Sequence, residues 1–183
     1  MTHPPTGAAA FLDWAQALPD GARAELWRGA VSPRAPAPPR AARALTDATL
    51  AFRAALRRAG LRGGVYPEGL AVVVDAQTVL WPDLTIGHGG AIGAHGAAPE
   101  APVIVAEAQG EGRSPLSDET RARAFLGAPG VAHHLLLDAD RARVTVTTRG
   151  ADGAITARTA AQGALRLDPP GVALAVADLF LTC

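Results

Sequence analysis

A chain of 183 residues is long enough for one domain with one sizeable core, whereas two independent domains of half that length would each be marginal. Its hydrophobic fraction of 49% excludes a disordered chain, although alanine supplies much of that fraction, and Gly 20 and Pro 15 make the connections turn-rich. Lys+Arg 17 and Asp+Glu 17 cancel to a formal charge of +0, so no global field steers the chain toward nucleic acid.

In chain order, Phe11, Leu12, Ala15 and Leu18 recur with helical spacing between Thr6 and Leu18, and Pro19-Asp20-Gly21 stops that helix. Glu25-Leu26-Trp27 reads as a short strand that Arg28-Gly29 turns into Ala30-Val31. The Pro-rich Pro33 to Pro39 has the composition of a linker. From Arg40 to Ala59 the stripe Leu45, Ala48, Phe52, Ala55 and Leu56 predicts an amphipathic helix, with Arg43, Asp47, Arg53, Arg57 and Arg58 largely outside it and Gly60 ending it.

Past Gly63-Gly64 the period changes to short β-rich runs. Leu70 to Val74 is one expected strand, and Thr78 to Ile86 contains another, interrupted by Pro82, with Asp75-Ala76-Gln77 as the hairpin between them. Gly87 to Pro102 reads as a Gly/Ala-rich loop carrying His88 and His95, before the apolar strand Val103 to Ala106 that delivers Glu107. A helix is expected from about Ser117 to Leu126, then strands at His133 to Leu137 and Arg143 to Thr148. Ile155, Leu165 and Leu167 mark further short strands, and the apolar segment Gly171 to Leu179 returns to the core.

The lone cysteine, Cys183, cannot form an internal disulfide or a thiolate zinc cluster. No apolar run reaches the roughly 18 residues that span a bilayer, so a cytoplasmic protein with no membrane contact is expected. Gly87-His88-Gly89-Gly90 lacks a full dinucleotide-binding pattern, and no serine sits in a nucleophile elbow, which disfavours a Rossmann enzyme or an acyl hydrolase.

The constellation with chemical content is Pro82-Asp83 followed by Val103 to Glu107. Acids at the ends of two neighbouring strands can share one hard divalent cation, which activates a bound water and neutralises charge developing on phosphate. Glu25 is a third candidate, whose plain alternative is a surface carboxylate paired to Arg23 or Arg28; Arg121 or Arg123 is placed to reach the same cleft. If His133 and His134 lie on a strand they alternate, one facing the core and the other solvent or a partner.

Glu25-Leu26-Trp27-Arg28-Gly29, the Pro-rich stretch, Trp81-Pro82-Asp83-Leu84, Val105-Ala106-Glu107 and Pro129-Gly130-Val131 together resemble the restriction-endonuclease-like proteins common in cyanobacteria, within the PD-(D/E)xK nuclease superfamily. The resemblance runs in order from about Phe11 to Phe180. It implies an α/β fold with a restriction-endonuclease-like core, a mixed central sheet flanked by helices, filling residues 1–183 as one domain. It also implies metal-dependent hydrolysis of DNA phosphodiesters by a homodimer. Asp83 and Glu107 then match the ligands of magnesium, or manganese, and Glu25 matches a glutamate that assists the metal and its water. Arg121, one turn before Phe125, stands nearest to the family's helix lysine, while Gln109 occupies the lysine position of the commoner E-x-K arrangement.

The departures point the other way. All 17 basic residues are arginine, and arginine stays protonated where lysine can act as a base. His133-His134 replaces the family's tyrosine-tryptophan pair. The competing expectation is a catalytically impaired nucleic-acid-binding or protein-interaction domain on the same fold.

Overall fold

Pro82 decides how the chain is laid out. It has no N–H to donate, so the β-ladder cannot run through it. The span Thr78 to Ile86 therefore divides into two strands that belong to different sheets. The structure, a computed structural model, describes residues 5–19, 22–68, 70–88, 102–110 and 113–182.

The elements in order are α1 (Ala8–Gln16), β1 (Ala24–Trp27), β2 (Ala30–Pro33), α2 (Pro39–Arg58), β3 (Gly63–Pro67), β4 (Val72–Asp75), β5 (Thr78–Leu80), β6 (Leu84–His88) and β7 (Pro102–Ala108). There follow α3 (Asp118–Gly127), β8 (His133–Asp138), β9 (Arg143–Arg149), β10 (Ile155–Ala160), β11 (Ala164–Leu167), β12 (Val172–Ala175) and a 3-10 turn, Val176–Leu179. The central sheet is mixed and six-stranded, in the order β10-β9-β8-β7-β6-β3. Only β7 and β8 run parallel within it, because α3 supplies the crossover that parallel neighbours require. A second sheet, β2-β1-β5-β4, is antiparallel throughout, and β11 pairs with β12.

Alternation along β7 sorts its side chains. Ile104, Ala106 and Ala108 face the α2 stripe, where they join Phe52, Leu56, Leu84, Leu135 and the returning Leu174 and Leu179 in the largest apolar cluster. Val105 faces the other way, onto Phe125 and Leu126 of α3, and the period of two puts Glu107 on that same side. Ser117 caps α3 by accepting from the Thr120 N–H at 3.2 Å, and Asp118 and Glu119 occupy the first turn, where the helix dipole favours acids.

Several details differ from the sequence reading. Asp47 is buried rather than outside the α2 stripe, because it accepts from the Thr182 N–H and hydroxyl, each at 2.9 Å, and so ties the chain's end to the helix. Gly63-Gly64 opens an unexpected strand, β3, which pairs along the whole of β6. Gly87 and His88 close β6 and Pro102 opens β7, so the expected loop is shorter at both ends; His95 and Gly89-Gly90 lie outside the described residues. Among the described residues no helix is long and apolar enough to cross a membrane.

Candidate functional site

The two larger sheets meet where β5 hands over to β6, and that junction collects seven buried polar side chains: Glu25, Arg34, Asp83, Glu107, Arg113, Arg121 and His134. Each arrives for a local reason. Glu25 stands in β1, where its Oε1 accepts from the Trp81 N–H at 3.0 Å. Asp83 follows Pro82, immediately before β6. Glu107 comes from β7 on the α3 side, and Arg121 descends from α3, one turn before Phe125, whose ring lies 5.5 Å from the guanidinium. His134 enters from β8 opposite Val105 and stacks on the other side chain of that layer, Phe125, at 5.6 Å.

Asp83, Glu107, Glu25 and Arg121 therefore converge, as the sequence reading required of them. Arg123 does not; it is exposed and pairs with Glu119 at 3.1 Å. Gln109 is exposed too, and its backbone N–H donates to Leu137. Neither Arg23 nor Arg28 pairs with Glu25. Arg23 instead bridges to Glu68 at 2.9 Å, and Arg28 lies over the Trp27 ring.

Three participants were not foreseen as part of the site. Arg34 lies in what reads as a Pro-rich linker; its NH2 donates to Glu107 at 2.8 Å and to Asp83 at 3.2 Å, and its Nε lies 3.6 Å from Glu25. Arg113, from the loop before α3, grips Asp83 with both terminal nitrogens, at 2.6 and 2.7 Å, and donates to the Ala108 carbonyl at 2.8 Å. His134 places Nε2 3.1 Å from Glu107. The expectation that one histidine of the pair would face solvent or a partner fails. β8 is covered on both faces, and His133 is equally buried between Thr148 and the Pro169 carbonyl.

Arg121 is the keystone of this lattice. Its Nε and NH2 reach Glu107 at 2.9 and 2.6 Å, its NH1 and NH2 reach Glu25 at 2.6 and 2.9 Å, and NH1 also donates to the Ser114 hydroxyl at 3.0 Å. Burial alone would raise the Glu107 carboxyl's pKa, but the His134 bond and the charge and bonds of Arg121 outweigh it and hold the group well below the usual carboxylate range. Burial would also lower the pKa of Arg121, and Glu107 and Glu25 more than reverse that.

The donor set leaves little for a divalent cation. A carboxylate offers about four lone-pair directions. Asp83 spends its own on Arg113, twice, on Arg34 and on the Ala108 N–H at 2.8 Å. Glu107 spends its own on Arg34, Arg121 and His134. Three carboxylates face three guanidiniums, so charge is already balanced, and a magnesium ion would bring a surplus into a buried volume. Among the described residues no three Asp, Glu, His or Cys side chains are arranged to hold a metal ion. The residues present thus do not fit a resident divalent cation. A cleft of about 220 Å³ opens onto the lattice between Trp81, Pro36 and the Arg23–Glu68 bridge, with Asp83 and Arg113 at its floor.

A family model described as "Putative restriction endonuclease" (Uma2) matches residues 8–177. Among solved structures, the crystal structure of a putative nuclease from Anabaena variabilis superposes with a TM-score of 0.69 at 14% identity, covering 93% of this chain and 97% of that one. At that identity the likeness speaks for the fold. No curated protein sequence matches the chain.

Proposed function

Since the chain belongs to the Uma2 family of restriction-endonuclease-like proteins, we propose that it is a member whose cutting chemistry has been replaced by a sealed arginine–carboxylate lattice, and that it acts by binding. The observation that carries this is the Arg113 guanidinium on both oxygens of Asp83. Arg113 brings the positive charge that a metal would bring, yet it has no coordinated water to turn into a nucleophile. Nor does any neighbour offer a ready base. Arg34, Arg113 and Arg121 stay protonated, and Glu107, which holds its proton only at low pH, is bonded on both oxygens.

A second reading keeps the family's activity. Asp83 and Glu107 would hold magnesium or manganese, Glu25 would assist, Arg121 would contact the scissile phosphate, and a homodimer would cut both strands of DNA. One observation favours it: Arg113 comes from a loop rather than a strand or helix, and the cleft opens directly onto it, so its withdrawal would uncover Asp83.

The two readings separate in one experiment. Purified protein is incubated with linear and supercoiled DNA over magnesium and manganese series, beside Asp83→Ala and Glu107→Ala. The sealed reading expects no cutting above the variants' background. Metal-dependent cutting that disappears in both variants would establish the second reading and discard the first.

A further inference from the structure

Past α3, the face of the central sheet that carries Glu107 and His134 continues across β9 and β10. β9 is half-buried on that face, and β10 is exposed along nearly its whole length. Cross-strand register fixes what stands there: Thr147 lies opposite His134, Thr145 opposite Leu136, and Ala157 opposite Thr147. Between this face and Ala122 of α3 runs a groove of about 340 Å³. Ala122, Leu136, Ala157 and Ile155 make its walls mainly apolar.

One buried polar atom at the groove is unspent. His134 lines the groove at 1% exposure, and its Nδ1 has no hydrogen-bond partner among the described residues. The other ring nitrogen is committed. Glu107 Oε2 also accepts from Arg121, so it is a carboxylate oxygen and His134 Nε2 donates to it. A neutral ring with its proton on Nε2 leaves Nδ1 as a bare acceptor. The two nitrogens of an imidazole point to nearly opposite sides of the ring. With Nε2 turned to β7, Nδ1 therefore faces the β9 side, where Thr147 stands. The Thr147 hydroxyl likewise has no partner among the described residues.

These features select the ligand. A group seated between Nδ1 and Thr147 has to donate to the first and can accept from the second, as a hydroxyl does. A carboxylate brings no proton for Nδ1, and the rim opposes its charge. Asp118 and Glu119 stand there with Arg123, which is already bonded to Glu119. The rest of the groove is apolar and within the size range of small-molecule pockets.

We infer that the groove between α3 and the face of β8, β9 and β10 binds a compact, uncharged alcohol or phenol. Its hydroxyl sits between His134 Nδ1 and Thr147, and its apolar body covers Leu136 and Ala157. The site lies across the His134 ring from Glu107, so it does not depend on whether the lattice is sealed or holds a metal.

The test is titration of the full chain with phenol, beside anisole, in which methyl replaces the hydroxyl proton. Binding is read by calorimetry and by the side-chain ¹⁵N resonances of histidine. Phenol should bind in the millimolar range or tighter. It should move His134 Nδ1 toward the shift of a hydrogen-bonded nitrogen while Nε2 keeps its proton. Anisole should bind roughly twofold to tenfold more weakly, the value of one hydrogen bond. Thr147→Val should cost phenol a similar factor and leave anisole unchanged. Ala157→Trp, at an exposed position of β10, fills the groove and should abolish binding of both.

Absence of phenol binding overturns the inference. So do equal affinities for phenol and anisole, which would make the groove a plain apolar cleft, or binding that Ala157→Trp leaves intact. An Nδ1 resonance already hydrogen-bonded before phenol is added, and unmoved by it, also overturns it and marks a resident water. Circular dichroism checks that both variants are folded. No nucleic acid or metal enters this assay, so its outcome is separate from that of the cutting experiment.

Discussion

Replacing Arg121 by methionine puts the lattice to its hardest test, because this side chain alone touches Glu25, Glu107 and Ser114. After the change Glu25 retains the Trp81 N–H and Arg34 at 3.6 Å, and Glu107 retains Arg34 and His134. Two buried carboxylates then face one shared guanidinium. Removing one partner of a buried pair costs about 3–5 kcal/mol. For a domain of this size each kcal/mol moves the midpoint by roughly 2–4 °C, so the melting temperature should fall by roughly 6–20 °C at neutral pH. Thermal melts followed by circular dichroism, with urea titrations for the free energy, read this directly. Adding Glu25→Gln and Glu107→Gln to Arg121→Met should recover much of the loss, since neutral amides in place of the orphaned charges remove the main penalty. A loss below about 1 kcal/mol for Arg121→Met, the value of an exposed pair, would refute the argument that Arg121, Glu25 and Glu107 interact as buried charges.

Two further expectations concern other parts of the molecule. On acidification, Glu107 has its folded pKa depressed from an ordinary 4.5, so its stabilisation is present above that pH and is lost as pH falls toward the folded value. His133, whose pKa burial lowers from 6.5, adds a loss of the same sign beginning nearer neutrality. Urea titrations should show stability falling below about pH 6 and steepening below about 4.5, with Glu107 contributing up to about 1.4 kcal/mol per pH unit. Stability that stays level down to pH 3 would contradict both assignments. Gly63→Ala should cost about 1–3 kcal/mol, because its Cβ would stand 2.6 Å from the Gly87 carbonyl, a backbone atom of the paired strand that cannot swing aside. A neutral result would mean that β3 and β6 are farther apart than described.

How much of this could be read from the sequence varied with how local the signal was. The α2 stripe, the start of α3 near Ser117 and the hairpin at Asp75-Gln77 are set by neighbours in the chain, and they appeared where periodicity and turn chemistry put them. Asp83 and Glu107 were singled out through ordered motifs spread along the chain, and the structure brings them together. Arg34 and Arg113 were not, for a definite physical reason. Both sit in irregular segments, one rich in proline and one in glycine, where no periodicity reports which side chain is buried. The balanced total of 17 and 17 also hides which arginines face which acids. One clue was available: a lysine-free chain in which a nuclease-like pair of acids is followed by Arg113 and Arg121 invites the question of what holds those acids. β3 escaped because its two glycines look like a turn, whereas Gly63 is explained by the close approach of the Gly87 carbonyl in β6 and Gly64 by the Tyr66 ring that lies over it.

The hold of Arg113 on Asp83 has a further consequence in mass action. A fold that depends on a dissociable ion gains RT ln(1 + [L]/Kd), so its integrity rises and falls with supply. Here the counter-ion is made by the ribosome, one per chain, and is tethered beside its carboxylate at a local concentration that no chelator alters. Such an arrangement exchanges adaptability for permanence. On the sealed reading proposed above, it would free the domain from the ionic composition around it and remove the open coordination position through which a metal-dependent hydrolase admits water.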